Sequence, residues 1–175
     1  MRILFAGGGT AGHINPAIAI ANYIKERHSN AEIAFVGTPR GMENNLVPKE
    51  GYPLYHIDVR GFRRKLTLEN LKVACCAAKS LGQAKKIIKE FKPDLVVGTG
   101  GYVSGPVLYE AAKMGIPTSI HEQNAFPGMT SKILSKVVDR VMISFEDSRK
   151  YFDKAQQKLV LTGNPVRENM GQLTK

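Results

Sequence analysis

The chain is short of acid, of cysteine and of long apolar runs. Its 175 residues hold 15 Asp and Glu against 25 Lys and Arg, a formal net charge of +10. That excess points to anionic partners: nucleic acid, phosphorylated metabolites or an acidic membrane surface. The two cysteines, Cys75 and Cys76, are adjacent in a helical pattern, where a bond between them would distort the backbone, and no second pair of metal ligands accompanies them. They read as small apolar packing residues. No apolar stretch reaches the roughly 18 residues of a membrane-spanning helix. Met1 to Phe5 runs straight into glycines instead of a signal-peptide core and cleavage site. The expectation is a cytosolic protein or a visitor to the membrane surface. There is no Asp-x-Asp pair and no His/Cys/Asp cluster with metal-ligand spacing, so any catalysis is expected to need no metal. Aromatic content of 7%, basic residues spread over several helical stretches and the lack of an RNA or DNA motif argue against a nucleic-acid module.

What is present is a regular alternation. Strand-like runs occur at Ile3 to Ala6, Glu32 to Val36, Tyr55 to Val59, Asp94 to Val97, Thr118 to Ile120, Arg140 to Ile143 and Lys158 to Leu161, with helical patterns between them. Continuous apolar strands alternating with helices imply a parallel sheet covered on both faces, the doubly wound, Rossmann-like α/β class. The first helix is expected to begin with Asn15 as cap and Pro16 at its first position. The longest is expected from about Leu68 to Phe91, with Leu71, Ala74, Cys75, Ala78, Leu81, Ile87 and Ile88 on or near one side, ended by Lys92-Pro93. Length allows one domain of about this size. Residues 1–163 are assigned to it and 164–175 to the start of a linker, so the chain is expected to be part of a longer protein.

Two glycine-rich turns stand out, Gly7-Gly8-Gly9-Thr10-Ala11-Gly12-His13 and Gly98-Thr99-Gly100-Gly101-Tyr102-Val103-Ser104-Gly105-Pro106. Each follows an apolar strand and precedes a helix, so backbone N–H groups crowd around an anion at two helix N-termini. In a doubly wound sheet the first and fourth strands are commonly neighbours, and the crevice at their carboxyl ends binds ligands. Two such loops there suggest one diphosphate held from both sides.

The first loop also matches the dinucleotide fingerprint Gly7-x-Gly9-x-x-Gly12. A nicotinamide site wants an acid after the second strand, where this chain has Val36-Gly37-Thr38-Pro39-Arg40. Arg40 keeps an NADP-type oxidoreductase open as the alternative. His13 reads as a general base or as a loop histidine that hydrogen-bonds the glycine backbone. In the second loop Ser104 offers a hydroxyl and Pro106 suits the first helical position. After the fifth strand, Glu122 is a reserve acid or base, Gln123 and Asn124 suit sugar hydroxyls or amides, and His121 and Glu122 read equally well as residues that order the loop.

These motifs, with His121-Glu122-Gln123-Asn124 and Gly163-Asn164-Pro165-Val166-Arg167, resemble over essentially all 175 residues the N-terminal half of the peptidoglycan glycosyltransferases, two-domain enzymes of the GT-B type. The resemblance implies a hexosyltransferase of bacterial cell-wall biogenesis, and with it of cell shape and division. It would move N-acetylglucosamine from UDP-N-acetylglucosamine to the muramyl 4-hydroxyl of undecaprenyl-diphospho-muramyl-pentapeptide (lipid I), with inversion and no cofactor. It implies that this half holds the lipid diphosphate through Gly8, Gly9, Gly12, Gly100, Gly101, Tyr102 and Ser104. Thr10, Ala11, Gly12, Asn124 and Arg167 would reach the donor, and His13 would be the base with Glu122 in reserve. The donor domain is absent from these residues, so the chain alone is expected to fold without catalysing transfer.

A lipid acceptor implies a peripheral site on the cytoplasmic face of the bacterial membrane. Arg60-Gly61-Phe62-Arg63-Arg64-Lys65-Leu66, followed by Leu68, Leu71, Lys72, Cys75 and Lys79, mixes basic and apolar residues suited to anionic inner-leaflet lipid.

Overall fold

The structure, a computed structural model, describes residues 1–59 and 69–166, with the side chains of 69–77 outside that description. In chain order the elements are β1 (Arg2–Gly7), α1 (Ala11–Arg27), β2 (Glu32–Gly37), α2 (Glu43–Lys49), β3 (Leu54–His56), α3 (Glu69–Phe91), β4 (Leu95–Gly100) and α4 (Gly101–Lys113). They continue with β5 (Thr118–Glu122), α5 (Met129–Leu134), β6 (Arg140–Ile143), two short 3-10 segments and β7 (Leu159–Leu161). All the expected strands are present. They form one parallel sheet in the order β3-β2-β1-β4-β5-β6-β7, so β1 and β4 lie side by side where the order turns.

Alternation along each strand divides the core between two faces. Ile3 and Phe5 of β1 join Ile33 and Phe35 of β2 beneath Ile14, Ala17, Ile18 and Ala21 of α1. Leu4 and Ala6 point the other way, onto Ala84, Ile87 and Ile88 of α3 and Val103, Val107 and Leu108 of α4. Phe5 and Phe35 stack with centroids 5.1 Å apart. On α3 the buried face is Ser80, Ala84, Ile87, Ile88 and Phe91, while Ala78, expected near the core, is exposed. Leu71, Ala74, Cys75 and Cys76 lie outside the described side chains, as does the basic segment at residues 60–66.

Both glycine-loop helices start earlier than their prolines suggest. The cap of α1 is Thr10, in extended conformation (φ −131°, ψ 154°), and its carbonyl accepts from the N–H groups of His13 and Ile14 at 3.1 and 3.2 Å. Asn15 is therefore not the cap, and Pro16 sits inside the helix at its sixth position. Pro106 occupies the corresponding position of α4 instead of its first. Each proline lacks the N–H that would bond the carbonyl four residues back, Gly12 in one helix and Tyr102 in the other. Local chemistry places a proline most comfortably at the first helical position. Here the packing of α1 and α4 against the sheet holds one further turn of helix ahead of it. His13 and Gly12 thereby belong to the first turn of α1, where the third glycine of a dinucleotide fingerprint also lies. The missing acid after β2 remains.

Between Ala6↔Gly98 and Gly7↔Gly100 the register of β1 with β4 slips by one residue, leaving Thr99 as a β-bulge. The other organising feature is Glu43, which sequence reading overlooked. It is fully buried, accepting the Gly9 N–H at 3.0 Å on Oε2 and the Thr38 N–H and hydroxyl at 2.7 and 2.9 Å on Oε1. A Cβ at Gly8 would come within 2.6 Å of its Oε1, and Cβ atoms at Gly37 or Gly41 would also collide with its side chain. Burial raises the pKa of Glu43, but the donors from Thr38 and Gly9 outweigh it and hold the carboxyl below the ordinary glutamate range. The ion therefore stabilises the fold above the unfolded-state pKa, and that contribution is lost as pH falls through the lower folded value. Glu43→Ala strands three donors and is expected to cost about 3 kcal/mol, read as a lowered midpoint in urea unfolding at neutral pH.

Candidate functional site

The two glycine loops touch backbone to backbone. Gly101 (φ +76°) faces Gly8, whose carbonyl oxygen stands where a Cβ on residue 101 would go. Gly100 (φ +105°) packs on the imidazole of His13, with Nδ1 only 2.6 Å from the position of an added Cβ. Both φ values lie in the left-handed region that favours glycine. Above this seam opens a cleft of about 270 Å³, lined by Gly8, Gly9, Thr10 and His13 from the first loop, Gly100, Gly101 and Tyr102 from the second, and Glu122, Asn124, Gly128, Thr130 and Ser131 beyond β5.

Neither α1 nor α4 has a side-chain cap or an acidic residue in its first turn. Their N-terminal N–H groups and positive dipole ends therefore suit an anion in the cleft. Among the described residues no Lys or Arg lines the cleft.

His13 Nδ1 lies 3.0 Å from the carbonyl oxygen of Thr99. A carbonyl only accepts, so Nδ1 carries the hydrogen, and the neutral ring has its lone pair on Nε2. That is the nitrogen a general base needs. Glu122, the reserve, is 2% exposed and committed to its own loop. Its Oε1 accepts from the N–H and side-chain amide of Asn124 at 3.0 and 2.9 Å, and its Oε2 from the N–H of Gly128 at 3.1 Å. The arrangement gives Glu122 the loop-ordering part of the two roles open to it in the sequence.

Other expected site residues divide. Gly8, Gly100, Gly101 and Tyr102 line the cleft. Gly9 does too, but its N–H is turned inward to Glu43, so it shapes the wall without donating. Ser104 does not reach the cleft: it is fully buried, taking the Gly100 N–H at 3.1 Å and lying 2.7 and 2.8 Å from the carbonyl oxygens of Ala6 and Gly100. A hydroxyl spent inside the loop has no hydrogen for a ligand. Thr10 and Asn124 line the cleft, whereas Ala11 and Gly12 sit beside it in the first turn of α1. Arg167 lies outside the described residues. Thr130 and Ser131 were missed because their short helix is brought to the cleft by the β5–β6 crossover, which no local pattern announces; Gly128 ends the polar run that follows the fifth strand at the same edge of the sheet. Among the described residues no group of three His, Cys, Asp or Glu side chains is placed to hold a metal.

A doubly wound parallel sheet with paired glycine loops at its turning point defines a Rossmann-like ligand-binding domain. The model of the glycosyltransferase family 28 N-terminal domain matches residues 3–143, and the chain belongs to that family. It is 56% identical over all 175 residues to the UDP-N-acetylglucosamine--N-acetylmuramyl-(pentapeptide) pyrophosphoryl-undecaprenol N-acetylglucosamine transferase of Alkaliphilus oremlandii, of which it covers 48%. The transferase of the same name from Ruminiclostridium cellulolyticum is 59% identical over 170 residues, 97% of this chain and 46% of that protein. The chain thus spans about half the length of the curated relatives it matches. Among solved structures, Acinetobacter baumannii MurG superposes with a TM-score of 0.76 at 32% identity, over 98% of this chain and 47% of that one. A UDP-GlcNAc 2-epimerase from Neisseria meningitidis bound to UDP-GlcNAc superposes at 0.68 with 15% identity over 94% of this chain and 47% of its own, a likeness of fold alone. The family match sets aside the oxidoreductase alternative.

His121 lies behind the cleft, fully buried, with Nε2 3.0 Å from the Gly163 carbonyl. Burial pushes its pKa below the ordinary histidine range, against the opposing pull of that carbonyl and of Glu122. With the folded value depressed, the neutral ring's contribution is complete above the unfolded value of about 6.5 and is lost as pH falls below it. Urea unfolding at about pH 7.5 and about pH 5.5 is expected to show lower stability at the acid value, and the drop to shrink in His121→Gln, which does not titrate. An equal drop in both proteins would contradict this.

Proposed function

We propose that the chain is the acceptor-binding half of an inverting transferase that moves N-acetylglucosamine from UDP-N-acetylglucosamine to the muramyl 4-hydroxyl of lipid I. The observation that carries this reading is the cleft between two uncapped helix N-termini, with the Nε2 lone pair of His13 available at its wall. In this reading the lipid diphosphate lies across the first turns of α1 and α4, where N–H groups and helix dipoles meet its charge. His13 takes the proton of the sugar hydroxyl as its oxygen attacks the anomeric carbon, and the C1–O bond to UDP breaks on the opposite side. Inversion follows from that single displacement. Thr10 and Asn124 are the described residues placed to reach the donor, and Asn124 keeps Oδ1 free of partners among the described residues because Glu122 takes only its N–H groups. Uridine recognition belongs to the half of the relatives' length that this chain does not span, and the reaction is assigned no metal and no redox cofactor.

In a full-length transferase carrying this half, His13→Ala is expected to lower kcat by about 10²- to 10⁴-fold on a soluble lipid I analogue while acceptor binding is retained. The 175-residue chain alone is expected to give no transfer. Unchanged turnover in the variant removes His13 from the reaction.

We also assign the chain to the cytoplasmic face of the bacterial membrane. No helix among the described residues is long and apolar enough to cross a bilayer. One wall of the cleft, however, is the helix α5, which supplies Thr130 and Ser131 to it and turns Met129 (73% exposed) and Ile133 (59%) to solvent. Phe126 and Val137 are exposed beside them, and Lys132 and Lys136 punctuate the strip. Apolar side chains flanked by lysines suit an anionic bilayer, each cation adding about 1 kcal/mol near the surface. Vesicles containing anionic lipid are expected to sediment the chain better than neutral ones, and Met129→Glu with Ile133→Glu to weaken that binding. Sedimentation indifferent to lipid charge speaks against it.

A further inference from the structure

The β-bulge at Thr99 has a chemical consequence. By slipping the register between β1 and β4, it turns the Thr99 carbonyl to the sheet's edge, where two side chains converge on it. His13 Nδ1 lies 3.0 Å from that oxygen and Gln123 Nε2 2.8 Å. The Gln123 amide can face only one way. Its nitrogen lies against the carbonyl oxygens of Thr99 and His121, the latter at 3.2 Å, and a reversed amide would set oxygen against oxygen. Gln123 Oε1 is therefore the atom 3.4 Å from His13 Nδ1, a second and longer acceptor for the same hydrogen. Behind Gln123, the Gly163 carbonyl can only accept, so His121 Nε2 carries the hydrogen of the neutral ring and His121 Nδ1, 3.1 Å from the Gln123 nitrogen, is an acceptor. The two amide hydrogens of Gln123 are shared among three acceptors, the Thr99 and His121 carbonyls and His121 Nδ1, and the chain of contacts runs from Gly163, two residues beyond β7, to the imidazole at the cleft.

We infer that Gln123 is a positioning residue: with the bulged carbonyl of Thr99 it clamps His13 Nδ1, keeping the hydrogen there and the lone pair on Nε2, and His121 anchors the clamp to Gly163. This rests on the proposed role of His13 for its meaning in turnover, but the tautomer itself is a property of the chain without substrate. Gly163 (φ +73°) is where the chain leaves the sheet, so the orientation of the imidazole is tied to the exit of the polypeptide from the domain.

The test reads the ring nitrogens of His13 directly, by two-bond proton–nitrogen correlation on the labelled chain at a pH where its histidines are neutral. Wild type is expected to show a protonated Nδ1 and an unprotonated Nε2. Gln123→Met, which keeps the length and removes the amide, is expected to move both nitrogens toward the averaged values of a tautomer mixture. A wild-type ring protonated on Nε2, or nitrogen shifts unchanged in Gln123→Met, overturns the inference, and the first of these needs no variant. In a full-length transferase the same substitution is expected to lower kcat at least 10-fold with KM for either substrate unchanged, and a rise in KM alone counts against positioning. If His13→Ala turns over normally while the tautomer result holds, the proposed function fails and the clamp survives.

Discussion

Everything at the carboxyl edge of this sheet depends on the backbone of residue 101 lying against the backbone of residue 8. That approach has no room for a Cβ, and it brings the first turns of α1 and α4 to the two sides of one narrow opening. Two helix N-termini aimed at the same volume repel each other mildly and leave N–H groups without helical partners. Buried contacts beneath the loops offset this: Glu43 accepts from Gly9 and Thr38, and the Ser104 hydroxyl bridges the start of α4 to Ala6 of β1. The negative charge of Glu43, just under the first loop, also balances part of the positive end of α1 from inside.

The same contact explains why His13 stands where it does. Gly100 gives the imidazole a flat backbone surface to pack on, the bulge at Thr99 gives it an acceptor, and the early start of α1 puts it in the first helical turn. Had the helix begun at Asn15-Pro16, His13 would belong to a longer, looser loop. The prolines at the sixth positions of α1 and α4 are thus part of one design repeated twice, a glycine turn followed by five helical residues and then a proline.

Much of the fold was legible in the residues. The central strands are short apolar runs buried on both faces, and such runs separated by helical periodicity have few arrangements other than a parallel doubly wound sheet. The glycine loops were legible because positive φ and close backbone approach leave so few alternatives to glycine. Helix starts were less so, because a capping signal is local and worth only about 1 kcal/mol, less than the packing of one more turn against the sheet. Glu43 was not legible at all. An acid just after a glycine, followed by two asparagines, looks solvated, and nothing along the chain says that Gly9 and Thr38 will converge on it.

The sequence by itself determined the class of the molecule: the sheet, its two glycine turns and their place at the carboxyl ends of β1 and β4. These follow from periodicity and from backbone sterics, which act between near neighbours. Tertiary structure alone decided which of the singled-out groups are free to act. It buried Ser104, spent the Gly9 N–H on Glu43, committed Glu122 to Asn124 and Gly128, and left His13 with an open Nε2. A hydrogen-bonding group has few partners to give, and whether they are spent inside the fold depends on residues tens of positions away that only folding brings within 3 Å.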